Sequence, residues 1–283
     1  LDSHVVRGKR VVPMTCAAAL MATTALRAHP GFHLVGVEAL QLFGGLFADA
    51  DVPLTLSMER KTDADAPLLR LGCRILAAGK PGYGATVVLS ASKLAPPANV
   101  RVRSGGAKVS KLYDGVTLFH GTHLRHIQEA AIDGDVLTAS CLNLSLDTAA
   151  AGQFESSRSV INGFAADVMM QAMLVVARAK HGAASLPSKL GSLAWVRAIP
   201  PGGQYLLTLE TTTTPSGCAG TCTLHDSDGV PYAIGEELVV TVNKDLAFNS
   251  APVPLLTPPA AAPTAPPALA PSNAAPAATA SAD

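Results

Sequence analysis

Two short patterns in this chain set proton-handling side chains beside long apolar runs. His4, Gly8 and Pro13 stand at His-x3-Gly-x4-Pro, directly ahead of the apolar stretch that begins at Met14. Far downstream, Asp167 and Gln171 form Asp-x3-Gln within a second apolar stretch. Histidine suits a general base because its ordinary pKa is about 6.5. A carboxyl acts as an acid near neutral pH only when burial raises its pKa, and Asp167 lies among Phe164, Ala165, Ala166, Val168, Met169 and Met170. A place early in a helix works the other way, because the helix dipole favours the carboxylate. Gln171 is one turn further along the same face, where its amide can orient the carboxyl. Gly8 permits close backbone approach and offers an N–H as an oxyanion donor, and Pro13 suits the first residue of a helix. Each residue has an ordinary explanation too. A His near a chain start is commonly on the surface, an early helical Asp is commonly a cap, and Met169, Met170 and Met173 read as core or tunnel lining.

Two similarly built halves position these patterns. Residues 14–28 are rich in Ala, Leu and Met, and His29-Pro30-Gly31 follows, which predicts a buried helix, apolar nearly all round. Strand-like runs follow at 33–47, 53–59, 68–78 and 85–92. Leu69, Leu71, Cys73 and Ile75 alternate with Arg70, Gly72 and Arg74, the period of a sheet with one wet face. Residues 93–106 are rich in Pro, Gly, Ala and Ser and read as a connector. The second half repeats the plan. Strands within 123–142 are broken at Asp133-Gly134, and a helix over 163–180 has Asn162 as its cap and Gly182 at its end. Strands at 193–199, 204–213, 221–225 and 237–242 follow, with a hairpin turn at 226–229. A helix followed by an antiparallel meander is what a hotdog needs, since the sheet wraps the helix. The expected fold class is therefore α+β, a double hotdog. Its parts are an N-terminal hotdog over 1–92, lacking an edge strand if the first strands lie outside this sequence, the connector, and a C-terminal hotdog over 107–250. From 251 onward nine of 33 residues are Pro and most others Ala, so 251–283 is expected to be a disordered linker or tail.

The paired patterns resemble the signature of polyketide-synthase-type dehydratase domains, which have a double-hotdog fold. Leu118-Phe119-His120-Gly121 resembles the opening of that family's second half, and Leu186-Pro187 follows the second helix as a Leu-Pro does there. The run from Asp2 to Thr15, with Phe164 to Leu174 later, is most similar to the dehydratase-like domain of the first subunit of polyunsaturated fatty acid synthases. The resemblance covers roughly residues 1–250. It implies removal of water from a 3-hydroxyacyl chain carried on the phosphopantetheine of an acyl carrier protein, giving a trans-2-enoyl thioester. His4 would be the base and Asp167 the acid, supported by Gly8, Pro13 and Gln171. His120, Gly121, Leu186 and Pro187 would line the substrate tunnel. No metal and no other cofactor is implied. The implied partners are the carrier protein, other domains of a megasynthase and a second copy of the chain.

The chain also departs from that family. Gly121-Thr122-His123-Leu124 stands where many members have Gly-Pro-x-Phe, His120 where a tyrosine is frequent, and Ser188 and Leu190 where aromatics are usual. These changes spare the acid–base pair and reshape the pocket wall of the second half. They favour a second reading, a catalytically silent scaffold for dimerisation or carrier docking. Double-bond isomerisation and thioester hydrolysis are further activities open to the same fold.

Composition narrows the field. Lys and Arg number 21 against 21 Asp and Glu, so the excess positive charge of a nucleic-acid binder is missing. The longest apolar run, Cys16 to Leu26, is too short to span a bilayer, and the start carries neither a Met nor a signal-peptide pattern, as expected of a piece of a larger polypeptide. Ser104-Gly105-Gly106 lacks the Lys-Ser/Thr of a phosphate loop. Five Cys are scattered without a secreted framework, and reduced thiols point to the cytoplasm. Cys218, Cys222 and His225 read as a reduced hairpin loop rather than a zinc site, because the spacing is not that of a zinc pair.

Overall fold

In the computed structural model, which describes residues 1–48, 53–63, 66–144 and 160–245, the chain opens with a hairpin. Strands β1 (Val5–Val6) and β2 (Lys9–Arg10) pair antiparallel across Arg7 and Gly8, both at positive φ. That two-residue turn matches the twist of its strands, and glycine adopts it without steric cost. Arg10 is buried and donates to Asp2, which fastens the start of the hairpin. Helix α1 (Met14–Ala28) follows Pro13, whose φ of −56° suits the turn into a helix.

The strands of the main sheet pair antiparallel throughout. Strands β3 (His33–Leu42), β4 (Leu54–Arg60), β5 (Leu68–Ala77) and β6 (Lys80–Ser90) follow, and α1 packs on β3, β5 and β6. Strands β7 (Ala107–Lys108), β8 (Ile127–Asp133), β9 (Val136–Leu142), β10 (Ser185–Trp195), β11 (Gln204–Thr214), β12 (Gly217–His225) and β13 (Pro231–Val242) build the second half, with helix α2 (Gly163–His181) packed on β10 to β13. The order is β4-β5-β6-β3-β10-β13-β12-β11-β9-β8-β7, so the two halves join through the β3–β10 pair into one continuous sheet. This is the double-hotdog fold that the sequence pattern leads one to expect.

The helices lie where the apolar runs place them, and their ends have clear causes. Asn162 accepts from the Ala165 N–H at 2.9 Å, which caps α2, and Gly182 closes it in the left-handed conformation. Nearly every residue of α2 from Gly163 to Ala177 is buried. Helix α1 differs from expectation. Met14, Ala17, Ala18, Met21, Ala22 and Ala25 form one buried face, while Leu20, Thr23 and Thr24 are half-buried. Among the described residues of the first half, α1 packs on β3, β5 and β6, and its other side stays partly open.

Strand limits differ from expectation where Pro and Gly sit inside strands. The run expected at 33–47 leaves the sheet after Leu42, following a register shift between Glu38 and Gln41 and a positive φ at Ala39. Strand β6 begins at Lys80, five residues before the expected start, because Ala78 and Gly79 form a tight turn that hands Ala77 directly to Lys80. Strand β10 begins at Ser185 and contains Pro187, which sits beside a bulge and outside the stretch paired with β3. Cys218 and Cys222 lie on β12 and not in a loop. The expected tail at 251–283 lies outside the described residues.

The two helices pack against each other, and Gly163 sits at their contact. A Cβ there would lie 2.8 Å from Cys16 Cα and 2.9 Å from the Thr15 carbonyl oxygen. Backbone atoms on α1 cannot yield as a side-chain tip would. Gly163→Ala is therefore expected to destabilise by about 1–3 kcal/mol, in spite of alanine's better helix propensity. Calorimetric melting checks this: a Tm several degrees lower is expected, and an unchanged or higher Tm would refute the close contact.

Candidate active site

The spacing of the first pattern is explained by the hairpin. His4 and Val11 face each other at its open end, where the Val11 N–H donates to the His4 carbonyl at 3.0 Å. The His4 ring turns onto the same partner, with Nδ1 2.8 Å from the Val11 carbonyl oxygen. A carbonyl accepts only, so Nδ1 carries the ring proton and Nε2 keeps its lone pair. Gly8 is at the tip, where the chain must reverse. Pro13 is the second residue past the Val11 anchor and starts α1. The Tyr83 hydroxyl donates to the Val12 carbonyl at 2.7 Å and steadies that junction.

The second half reaches His4 through residues 118–124. Gly121 donates its N–H to the Ser3 carbonyl at 2.8 Å, and the Ser3 hydroxyl accepts from the His123 N–H at 3.1 Å. A Cβ at Gly121 would meet Ser3 Cα at 2.8 Å, so only glycine allows this seam. His120 is carried next to His4, with ring centroids 5.3 Å apart. Phe119 stacks on His120 at 4.3 Å and faces His4 at 5.1 Å.

Asp167 comes to the same place from α2. Its Oδ2 accepts from Gln171 Nε2 at 2.9 Å and lies 3.4 Å from His120 Nε2, while Oδ1 accepts from the Thr15 hydroxyl at 3.4 Å. Gln171 is itself fully engaged. Its Nε2 also donates to the Leu124 carbonyl at 2.9 Å, and its Oε1 accepts from the Tyr113 hydroxyl at 2.9 Å. The ligand-type atoms of His4, His120 and Asp167 all lie within 4.8 Å of one another. His120 and Asp167 are buried, and His4 is half-buried.

The contest over Asp167 goes to the carboxylate, and neighbouring side chains decide it. Burial does push the Asp167 carboxyl up. The hydrogen bond and charge of His120, the charge of His4 and the Gln171 hydrogen bond outweigh it and bring the group down to about 2. The expected neutral acid is thus a carboxylate in the free site. Burial, helped by the His120 charge, lowers His4 to about 4 against the opposing pull of Asp167 and the Val11 carbonyl. His4 is therefore a neutral base at physiological pH.

The structure thus brings His4, Asp167 and Gln171 together, and adds His120, which the sequence had placed on a tunnel wall. It also adds Thr15 and Tyr113, which no pattern singled out. The signal for His120 was its own type, a third ionisable ring just before a glycine. Gly121 is a seam residue, close to Ser3 and not a wall of open space. Leu186 and Phe119 both pack against Ala184, so Leu186 lies behind the site and not on its wall, and Pro187 belongs to the β10 bulge. Gly8 is an exposed turn residue with open space around it. Surface cavities lie elsewhere: one of about 280 Å³ is lined by Arg101, Arg103 and Asp133 among others, and by none of the three clustered residues. His225 is engaged by Thr208 at 2.9 Å and by the Asp226 carbonyl at 2.8 Å. Cys218 and Cys222, four residues apart on a strand, stand on the order of 13 Å apart, too far to share a metal. Among the described residues no helix is long and apolar enough to cross a membrane.

Comparison with known proteins agrees with this picture. No family model matches the chain. Over 219 residues, 74% of this chain, it is 34% identical to a large subunit of the polyunsaturated fatty acid synthase of a Thraustochytrium species. The chain spans only 8% of that protein's length. Among solved structures, it is similar to the dehydratase domain of RzxB from Pseudomonas fluorescens, with a TM-score of 0.66, 17% identity and coverage of 85% of this chain and 89% of the other. The dehydratase domain from the CurK module of the curacin polyketide synthase matches with a TM-score of 0.64, 16% identity and coverage of 86% and 88%.

The buried rings make stability depend on pH. His4 and His126 both titrate at about 4 when folded, against an ordinary 6.5, and burial is the leading cause for each. The unfolded rings take up protons below 6.5 and the folded ones only near 4. Stability is therefore fully present above 6.5 and drains away as pH falls towards 4, by up to about 3 kcal/mol per ring. Asp167 adds a further loss between its ordinary 3.8 and about 2. Thermal melts from pH 7.5 to 4 should show a steep fall in Tm across that window. A flat Tm would show that the rings are solvated.

Proposed function

We propose that this chain, a double hotdog of the dehydratase-domain kind with a sequence relative in a polyunsaturated fatty acid synthase, dehydrates 3-hydroxyacyl thioesters. The observation that carries this reading is the meeting of His4 and Asp167, 163 residues apart in sequence, in one buried group. The substrate would be presented on the phosphopantetheine arm of an acyl carrier protein within a megasynthase, and the resident chemistry needs no cofactor. Inactive variants of the CurK dehydratase domain carry a histidine changed to phenylalanine or an aspartate changed to asparagine, which fits a shared His/Asp requirement.

In this reading His4 Nε2 takes the proton from C2, because its lone pair faces the site while Nδ1 is held by Val11. The departing C3 hydroxyl needs a proton from the Asp167 side. Asp167 is a carboxylate in the free site, so it must take up a proton as substrate binds before giving it to the leaving oxygen; His120, whose Nε2 is 3.4 Å away, is its nearest ionisable neighbour on that path. Water departs, His4 holds the C2 proton, and its return to the His120–Asp167 pair resets the site within one small cluster. Gly8 serves this site indirectly, by closing the exposed hairpin turn that sets His4 opposite Val11. Double-bond isomerisation is the second reading, and the ionised Asp167 favours it, since moving a double bond needs His4 without an acid for a hydroxyl.

Mass spectrometry of carrier-bound substrate separates the readings. Incubation with the 3-hydroxyacyl form should give loss of one water, whereas an isomerase would leave that form untouched and shift a 2-enoyl form without change of mass. His4→Ala and Asp167→Asn should each lower turnover by about 10²–10⁴-fold. Gln171→Ala should lower it less, and the double His4/Asp167 variant should be little worse than either single one, since the two act in one step. Wild-type water loss in both single variants would show that the pair is structural, and no change in either substrate form with the wild-type chain would leave only the scaffold reading.

A further inference from the structure

The same three side chains are arranged as metal ligands. We propose that His4 Nε2, His120 Nε2 and the Asp167 carboxylate bind one divalent cation of the zinc class, which shuts the site. Among the described residues this is the group whose donor atoms converge, all within 4.8 Å. Its chemistry is two imidazole nitrogens and one carboxylate, a set that suits zinc and that offers too few oxygens for calcium or magnesium. The fourth position is left for water.

The details fit a bound ion in three ways. Zinc–nitrogen and zinc–oxygen bonds of about 2.0–2.1 Å in a tetrahedron separate neighbouring ligand atoms by about 3.3 Å. His120 Nε2 and Asp167 Oδ2 already stand 3.4 Å apart. His4 is held as zinc-bound histidines are, its far nitrogen donating to a backbone carbonyl so that Nε2 is deprotonated and aimed inward. Asp167 is oriented by Gln171 and Thr15. The buried Nδ1 of His120 has no hydrogen-bond partner. Its ring therefore gains no outer support, which keeps the affinity below that of a structural zinc. His4 is the least buried of the three.

Binding stands on geometry alone. Its consequence, inhibition, rests on the proposed dehydration: an ion on His4 Nε2 and on Asp167 occupies both the base's lone pair and the acid's oxygen. The chain would then be silent while zinc is present and active once it is removed.

The test uses the chain stripped of metal with a chelator. Zinc chloride is titrated by calorimetry, and cobalt(II) is used as a visible-absorption probe. One equivalent should bind, with the strong visible band of four- or five-coordinate cobalt. Asp167→Asn, which preserves shape, and His120→Phe should each weaken binding at least about 100-fold. His33→Gln, at an exposed histidine, should leave it unchanged. Circular dichroism confirms folding, and should His120→Phe fail to fold, Asp167→Asn decides alone. No binding by the wild type, or full binding by Asp167→Asn, overturns the site. In the dehydration assay, zinc should stop turnover and a chelator restore it. A chain that binds zinc at this site yet turns over unchanged at saturation refutes the inhibitory role. A chain without dehydratase activity is judged by calorimetry alone, so failure of the functional reading and failure of the metal site stay distinct.

Discussion

The site depends on the absence of a Cβ at two points where the halves of the protein touch. At Gly121 the second half closes on Ser3, and at Gly163 helix α2 closes on the backbone of Thr15 and Cys16. Each glycine is next to a functional side chain or one turn from it. Ser3 precedes His4, Gly121 follows His120, Gly163 precedes Asp167 by a turn, and Thr15 reaches Asp167 directly. A side chain at either seam would push the two halves apart by a few tenths of an ångström or more. Positions this close-packed transmit strain and do not absorb it.

Once the groups are that close, their charges decide the state of the site. Burial alone would make Asp167 an acid and His4 a poor base. The proximity of His120 reverses the first effect and reinforces the second. The outcome is a carboxylate and a neutral imidazole on either side of a third ring. That arrangement suits a proton held jointly by a pair, and it also suits a cation. A buried charge is costly unless neighbours compensate it, and here the compensation is the other members of the same group together with Gln171 and Thr15. The halves and their charges therefore form one unit, since neither half supplies a complete site.

Local signals accounted for much of this. The limits of α1 and α2, the Asn162 cap, the Gly182 end and the turns at Gly134 and Gly229 follow from single residues with definite conformational preferences. The strand starts at Lys80, Ser185 and Pro231 did not, because Pro81, Gly82, Pro187 and Pro231 look like loop residues and are accommodated by tight turns and bulges that only the formed strand pairs reveal. The same limit governs the site. His4, Asp167 and Gln171 could be found from spacing because hairpin and helix geometry are local. His120, Thr15 and Tyr113 join them only through the Ser3–Gly121 seam and the contact between helices, which no spacing within one element encodes. The depressed pKa of Asp167 belongs to this second class, since its cause is a ring 47 residues away in sequence.

The central claim is that His4 lies in electrostatic contact with Asp167. The most direct measurement of it is an NMR titration of the His4 ring in the wild-type chain and in Asp167→Asn. The account predicts that His4 is neutral with its proton on Nδ1, titrates at about 4, and drops further when the aspartate's charge, which raises it, is removed. A ring that titrates near the ordinary 6.5 and ignores the loss of the Asp167 charge would contradict the shared site.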